Sequence, residues 1–324
     1  MGRETISVGL SGVSAVLPPR SQSLSELAGA GLLYSSPRTL GELGFERAFV
    51  CDSEHRPEQL ALEAARAALD DAGLGPHDID AVIWASARND THVVRTDDDS
   101  APTSVMAGFR YSSAWLQREL DLRNADVIAV AQQGCSTMFS ALRLARTLLI
   151  AEPDRCQHVL CVAVDVLPAG ASREILYNVI SDGACAVVVS SGCSRDMWVG
   201  YRQVSRGHYC DPASCGPQII AAYFPTAQRL IQQLLSDHGL EPDDVDVVIP
   251  TGVSQSSWDV LLRLIDVPAD RLYRGLPSFG HTMTSDSFAF LSALRRAAHA
   301  PRGSRLLLFT YGFGSSWCGL LLEH

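Results

Sequence analysis

The sequence predicts an α/β protein built from two related halves. Three observations carry this: an internal repeat, apolar strand-like runs alternating with amphipathic helix-like runs in both copies, and a length of 324 residues, close to two domains of about 150 residues each. Residues 68–87 (ALDDAGLGPHDIDAVIWASA) align with residues 234–252 (LLSDHGLEPDDVDVVIPTG) at a constant offset. Gly73 meets Gly239, Leu74 meets Leu240 and Pro76 meets Pro242. The match continues through Asp78 with Asp244, Asp80 with Asp246, and Ile83 with Ile249. Each copy reads as an amphipathic helix ending at a glycine, a Pro/Asp turn and a short apolar strand.

Later segments repeat in the same order. Gly134-Cys135-Ser136 precedes SALRLA (140–145), and Gly280-His281-Thr282 precedes SALRRA (292–297). The strand-like VLCVAVDVL (159–167) has a counterpart in RLLLFTYGF (305–313), and ACAVVVSS (184–191) in WCGLLLE (317–323). Two such halves imply parallel-sheet α/β units related by a pseudo-dyad. They divide near the Gly/Ser turn SSGCSR, giving residues 1–195 and 196–324. Between the repeat elements, residues 88–112 read as a long surface loop with Asp97-Asp98-Asp99 as a solvated acidic triplet. Segment 196–222 reads as a second loop, which with 88–112 sets the pocket size.

Composition narrows the chemistry. The formal charge is −10, and every basic residue is arginine; there is no lysine. GC-rich codon usage is the plain cause. Without lysine there is no Schiff base, no pyridoxal phosphate anchor and no lysine-bearing phosphate loop. No basic stripe offsets the acidic balance, which argues against nucleic-acid binding. No run of about 18 apolar residues suits a membrane span, and Met1 to Pro19 lacks the pattern of a signal peptide. Nine scattered cysteines fit reduced thiols, so the expected compartment is the cytoplasm.

The segment from Asp126 to Ile150 is the strongest local signal. Val127–Ala131 reads as a buried strand, Gln132-Gln133-Gly134 as a tight turn and Ser136 onward as an apolar helix. Cys135 therefore sits at a helix N-terminus, where unpaired N–H groups and the helix dipole favour a thiolate. Two readings stand: a nucleophile, or a buried structural cysteine. The matching turn of the second half carries His281, with Asp286 five residues on. If the pseudo-dyad brings the turns together, His281 becomes a base beside Cys135 and Asp286 orients its ring; alternatively Asp286 caps a helix. Tyr311-Gly312-Phe313-Gly314 follows a buried strand, and its backbone either supplies oxyanion donors beside the Cys135 N–H or forms an ordinary strand–strand turn. Cys156, Cys161, Cys185 and Cys318 read as core. His55, His77 and His238 read as surface. His208 with Cys210 and Cys215 lacks a second ligand pair for zinc, so no metal is expected, and His208 is a candidate pocket residue.

These residues resemble the thiolase superfamily, and within it the ketoacyl-acyl-carrier-protein synthase III type of ketosynthase. The resemblance runs over essentially the whole chain: the repeated halves, the Gly-Cys turn, SDGACAVVV (181–189) and the Gly-Phe-Gly-x-x-Trp stretch at 312–317. It implies a five-layered αβαβα fold, a homodimer, and acyl transfer from coenzyme A or acyl carrier protein onto the Cys135 position. Two departures stand out. Condensing members carry Pro-His where this chain has Pro250-Thr251-Gly252, and Gly-Asn where it has Gly280-His281. A decarboxylating site needs two donors on an enolate oxygen, and the usual pair is missing. The placement of His281 and Asp286 is similar to a divergent antibiotic-biosynthesis subgroup, which uses a Cys-His-Asp triad to acylate a hydroxyl, an amine or another carrier.

The expected function is therefore acyl transfer through Cys135, His281 and Asp286, with the backbone N–H groups of Cys135, Phe313 and Gly314 as oxyanion donors and Thr251 and His208 as pocket residues. The donor is an acyl carrier protein or coenzyme A thioester, with no resident cofactor. The acceptor is a small molecule or is carrier-bound, and neither nucleic acid nor membrane is a partner. Two alternatives are a ketosynthase III-type enzyme forming a C–C bond and a non-catalytic ketosynthase-like partner subunit.

Overall fold

Each half of the repeat folds into one side of a mixed sheet, and the sheet ends carry the turns singled out above. The structure, a computed structural model, describes residues 6–51, 56–87, 109, 111–275, 278–313 and 315–324. The Asp97-Asp98-Asp99 triplet, nearly all of segment 88–112, His55 and Gly314 lie outside the described residues.

In chain order the first set comprises β1 (Val8–Val16), β2 (Ser21–Ser23), α1 (Leu24–Gly29), α2 (Pro37–Glu42), β3 (Arg47–Phe49), α3 (Pro57–Ala72) and β4 (Ala81–Ala85). It continues with α4 (Ser112–Glu119), β5 (Asp126–Val130), α5 (Thr137–Ala151), β6 (His158–Asp165), a hairpin of β7 (Glu174–Ile175) and β8 (Asn178–Val179), and β9 (Gly183–Ser191). The second set is β10 (Met197–Ser205), α6 (Pro212–Ser236), β11 (Val247–Ile249), α7 (Gln255–Leu264), α8 (Asp286–Arg296), β12 (Arg305–Gly312) and β13 (Ser316–Glu323).

The main sheet runs β11-β12-β13-β10-β1-β9-β6-β4-β5. β4 pairs β6 in parallel and β6 pairs β9 antiparallel; β11 and β12, then β12 and β13, repeat that pattern. The two sets meet at one pair, Gly9 opposite Met197. A Cβ on Gly9 would come within 2.5 Å of the Arg195 carbonyl, so this junction requires glycine. The counterpart of β5 shrinks to a single parallel bridge between Val248 and Leu272.

Strand alternation sorts the side chains into layers. Val82, Trp84, Leu160 and Val162 pack under α3 and α4, whereas Ile83, Cys161, Leu306, Leu308 and Leu320 face α5 and α8 in the middle. Leu307, Phe309, Trp317 and Leu321 face α6 and α7. The result is the five-layered αβαβα, thiolase-like arrangement, with Cys156, Cys161, Cys185 and Cys318 buried in it. Gly73 caps α3 in the left-handed conformation (φ 68°). In the second copy the helix ends earlier, at Ser236, and the left-handed glycine is Gly239 (φ 66°) three residues on.

Segment 196–222, expected as a loop, is instead β10 and the first half of α6. α6 runs through both Pro217 and Pro225, each of which removes a backbone donor; its buried face (Leu230, Ile231, Leu234 and others) outweighs that loss.

One buried ion pair ties the β7–β8 region to the sheet. Arg173 meets both carboxylate oxygens of Asp182, which also accepts from the N–H groups of Cys51 (2.7 Å) and Leu167 (2.9 Å). Both side chains are almost entirely buried. Replacing Arg173 by Met strands a buried carboxylate, so chemical denaturation is expected to show a loss of about 3–5 kcal/mol. A loss comparable to that of an exposed arginine would contradict this role.

Candidate active site

The Cys135 turn is built by two close backbone approaches. After β5 the chain passes through Gln132 (φ 70°) and Gly134 (φ 55°) into a short 3-10 turn over Gly134–Ser136 that leads into α5. A Cβ on Gly134 would lie 2.4 Å from the Phe313 nitrogen, and one on Gly312 would lie 1.8 Å from the Gln133 carbonyl oxygen. Glycine at both positions lets the loop after β12 press against the Cys135 turn. The Phe313 N–H is thereby brought beside Cys135 at the head of α5.

His281 arrives from the other half, held by its backbone. Its N–H donates to the Val179 carbonyl (2.7 Å), its carbonyl accepts from Ser181 (2.9 Å), and it forms a bridge with Ile180. The next turn, Met283–Ser285, leads into α8 and places Asp286 at the start of that helix. His281 Nε2 lies 3.1 Å from Cys135 Sγ, and His281 Nδ1 hydrogen-bonds Asp286 Oδ2. The three side chains thus form one continuous line.

Asp286 is fully buried and its carboxylate is saturated. Oδ1 accepts from the Thr282 N–H (2.6 Å) and hydroxyl (2.7 Å), and Oδ2 accepts from the Gly252 N–H (2.8 Å) as well as the imidazole. Gly252 reaches that position only without a side chain, since a Cβ would meet the Gly280 carbonyl at 2.5 Å. Burial opposes charge on the His281 ring, but the negative charges of Asp286 and then Cys135, with their hydrogen bonds, outweigh it and hold the imidazole pKa well above the ordinary histidine value.

Cys135 clusters with Ile180 and Met283, against which Ala87, Leu167 and Ile175 pack. Tyr223 and Tyr311 also come near it, their rings edge to face at 5.7 Å. Burial raises both phenol pKa values, and the proximity of Cys135 adds to the rise. Thr251 is buried and lines a cavity of about 260 Å³ with Gly252, Tyr273, Phe279 and Gly280, while its carbonyl accepts from the Trp258 indole (3.1 Å). His208 is exposed and stacks on Tyr209 (centroids 3.9 Å apart), away from that cavity. Gly314 lies outside the described residues.

Sequence reasoning missed Thr282, Gly252, Tyr223 and Tyr311. Thr282 was within reach of inspection, being adjacent to His281 with its hydroxyl available to Asp286. The other three enter through tertiary packing alone.

With this geometry in view, the family described as 3-oxoacyl-[acyl-carrier-protein (ACP)] synthase III C terminal matches residues 235–324. A β-ketoacyl-[acyl-carrier-protein] synthase III from Methylococcus capsulatus is 25% identical over 307 residues, covering 87% of this chain and 88% of the relative. Among solved structures, 3-oxoacyl-[acyl-carrier-protein] synthase III from Aquifex aeolicus superposes with a TM-score of 0.82 at 19% identity, covering 98% of this chain and all of that one. ChlB3, named as an acyltransferase, superposes with a TM-score of 0.81 at 19% identity, covering 98% and 97%. In sequence the chain is similar to ketosynthase III enzymes over most of its length, and its fold is that of their solved structures. Among the described residues no helix is long and apolar enough to cross a membrane.

Replacing Asp286 by Asn removes the charge that favours the imidazolium and leaves the burial that opposes it. The His281 pKa, followed by NMR titration of the ring, is expected above 6.5 in the native protein and clearly lower in Asp286→Asn. The ring then loses its proton at lower pH. An unchanged titration would contradict the electrostatic assignment.

Proposed function

We propose that this protein is an acyltransferase that accepts an acyl group from an acyl carrier protein or coenzyme A thioester onto Cys135 and passes it to a hydroxyl, amine or carrier thiol. The observation that carries the reading is the unbroken Cys135–His281–Asp286 line, with Nε2 at 3.1 Å from Sγ.

In the first half-reaction the Cys135 proton resides on His281 Nε2 as Sγ attacks the thioester carbonyl carbon. The tetrahedral oxyanion rests against the N–H groups of Cys135 and Phe313. The bond to the donor sulfur breaks, and His281 returns the proton to the leaving thiol. In the second, His281 removes the proton from the acceptor O–H, N–H or S–H as it attacks the acyl-enzyme. The new acyl bond forms, and Cys135 leaves and regains its proton. A basic imidazole held by a carboxylate suits both transfers. Asp286 fixes Nδ1–H, so that Nε2 faces the sulfur.

A transferase reading fits this site better than a decarboxylating one. Thr251 stands where condensing members carry histidine, and the other donor position holds His281, which is committed to Asp286. The secondary-metabolic setting rests on resemblance to the Cys-His-Asp subgroup and on the likeness to ChlB3. The matched relatives are named as condensing synthases, so the competing outcome is a C–C product. We further propose a cytoplasmic protein and a homodimer, the latter supported by β5, one of the two edge strands of the sheet, which leaves Val127 38% exposed.

Intact-protein mass spectrometry against acyl thioesters tests the nucleophile. An adduct is expected on the native protein and none on Cys135→Ala, and an adduct retained by that variant would overturn the assignment. His281→Ala is expected to acylate slowly and to lose about 10²–10⁴-fold in transfer to acceptor.

A further inference from the structure

Two buried hydrogen-bonding groups, one of them close to Cys135, are left over by this mechanism. Tyr311 and Trp317 face each other across the β12–β13 ladder, with ring centroids 4.6 Å apart. Neither the Tyr311 hydroxyl nor the Trp317 indole N–H has a partner among the described residues, and both atoms are buried. Trp317 as a whole is completely buried. Native proteins leave few such donors unsatisfied, and two in contact, one of them close to a reactive cysteine, call for an acceptor.

Their position says where that acceptor comes from. Tyr311 immediately precedes Gly312 and Phe313, the backbone that presses against the Cys135 turn. Around it stand Tyr223 at 5.7 Å, Phe313 at 5.9 Å and, through Trp317, Tyr209 at 6.4 Å. The side chains clustered with Cys135, namely Ile180, Met283, Leu167 and Ile175, carry no donor. With the thioester carbonyl against residues 312–313, residue 311 meets a group attached to that carbonyl. Only the acyl group stays there through both half-reactions; donor and acceptor each occupy the site for one.

We propose that Tyr311 and Trp317 form a polar subsite that receives an oxygen carried by the acyl group, so that the acyl donors taken are oxygen-substituted rather than plain alkyl. The inference rests on the acyl-transfer reading above. An indole N–H only donates, so the recognised atom must accept: a carbonyl, ether or hydroxyl oxygen qualifies and an ammonium group does not. Tyr311 and Trp317 are specificity-determining in this account, while bond making stays with Cys135 and His281.

The test is the rate of Cys135 acylation, read by intact-protein mass spectrometry, with coenzyme A thioesters in matched pairs. Each pair sets a hydroxyacyl or ketoacyl group against its deoxy analogue, with the oxygen stepped along the chain. The native protein is expected to favour at least one oxygenated member about tenfold over its partner. In Tyr311→Phe that ratio is expected to fall toward one. Equal rates within every pair for the native protein would overturn the subsite, and that comparison needs no variant. A preference that survives in a folded Tyr311→Phe protein would also overturn it. No Cys135 adduct with any thioester would overturn the acyl-transfer reading itself and the subsite with it.

Discussion

The buried carboxylate of Asp286 is the constraint on which the site depends. An ionised group without solvent is tolerated only when its oxygens are saturated, and here two separate pieces of chain supply the donors. Gly252 comes from the turn after β11, Thr282 from the segment entering α8, and the imidazole from His281. Satisfying one carboxylate therefore fixes the turn after β11, the backbone beside His281 and the ring itself. Because Nδ1 faces this acceptor, Nε2 is the nitrogen presented to Cys135.

The duplicated architecture explains why a cysteine from one half meets a histidine from the other. Each half sends a strand–turn–helix unit to the same end of the sheet, so Cys135 before α5 and His281 before α8 are symmetry counterparts with different chemistry. The pairing is completed by glycines at the points of closest approach: Gly134 against Phe313, Gly312 against Gln133 and Gly252 against Gly280. Substitution at any of these pushes two backbones apart and with them the sulfur, the base or the oxyanion donors.

Much of this was legible in the sequence because helix and strand periodicities report burial directly, and because a repeat doubles every signal. The strands β4, β6, β9, β11, β12 and β13 stand where their apolar runs are. The line of Cys135, His281 and Asp286 followed from placing two turns in register. Three features were hidden for physical reasons. α6 passes through two prolines because its apolar face is buried deeply enough to override a local rule. The β7–β8 hairpin turns at Leu176 and Tyr177, both at positive φ, where Asn-Gly is the expected signal. The environment of Cys135, both aliphatic and phenolic, is assembled from residues far apart in the chain, so no local pattern announces it.

The absence of lysine shapes the chemistry as well as the composition. Arginines form the buried pairs, Arg173 with Asp182 and Arg295 with Asp196. Among the described residues the basic side chain in contact with Cys135 is the His281 imidazole, and on the proposed reading this narrows the reaction to transfers that a single base can serve. The most direct test is a single turnover: native protein carrying a labelled acyl group on Cys135 is mixed with acceptor, and the bond formed in the product is identified. The account predicts an ester, amide or thioester that retains every acyl carbon, with free Cys135 regenerated. A new carbon–carbon bond formed with release of carbon dioxide would contradict it.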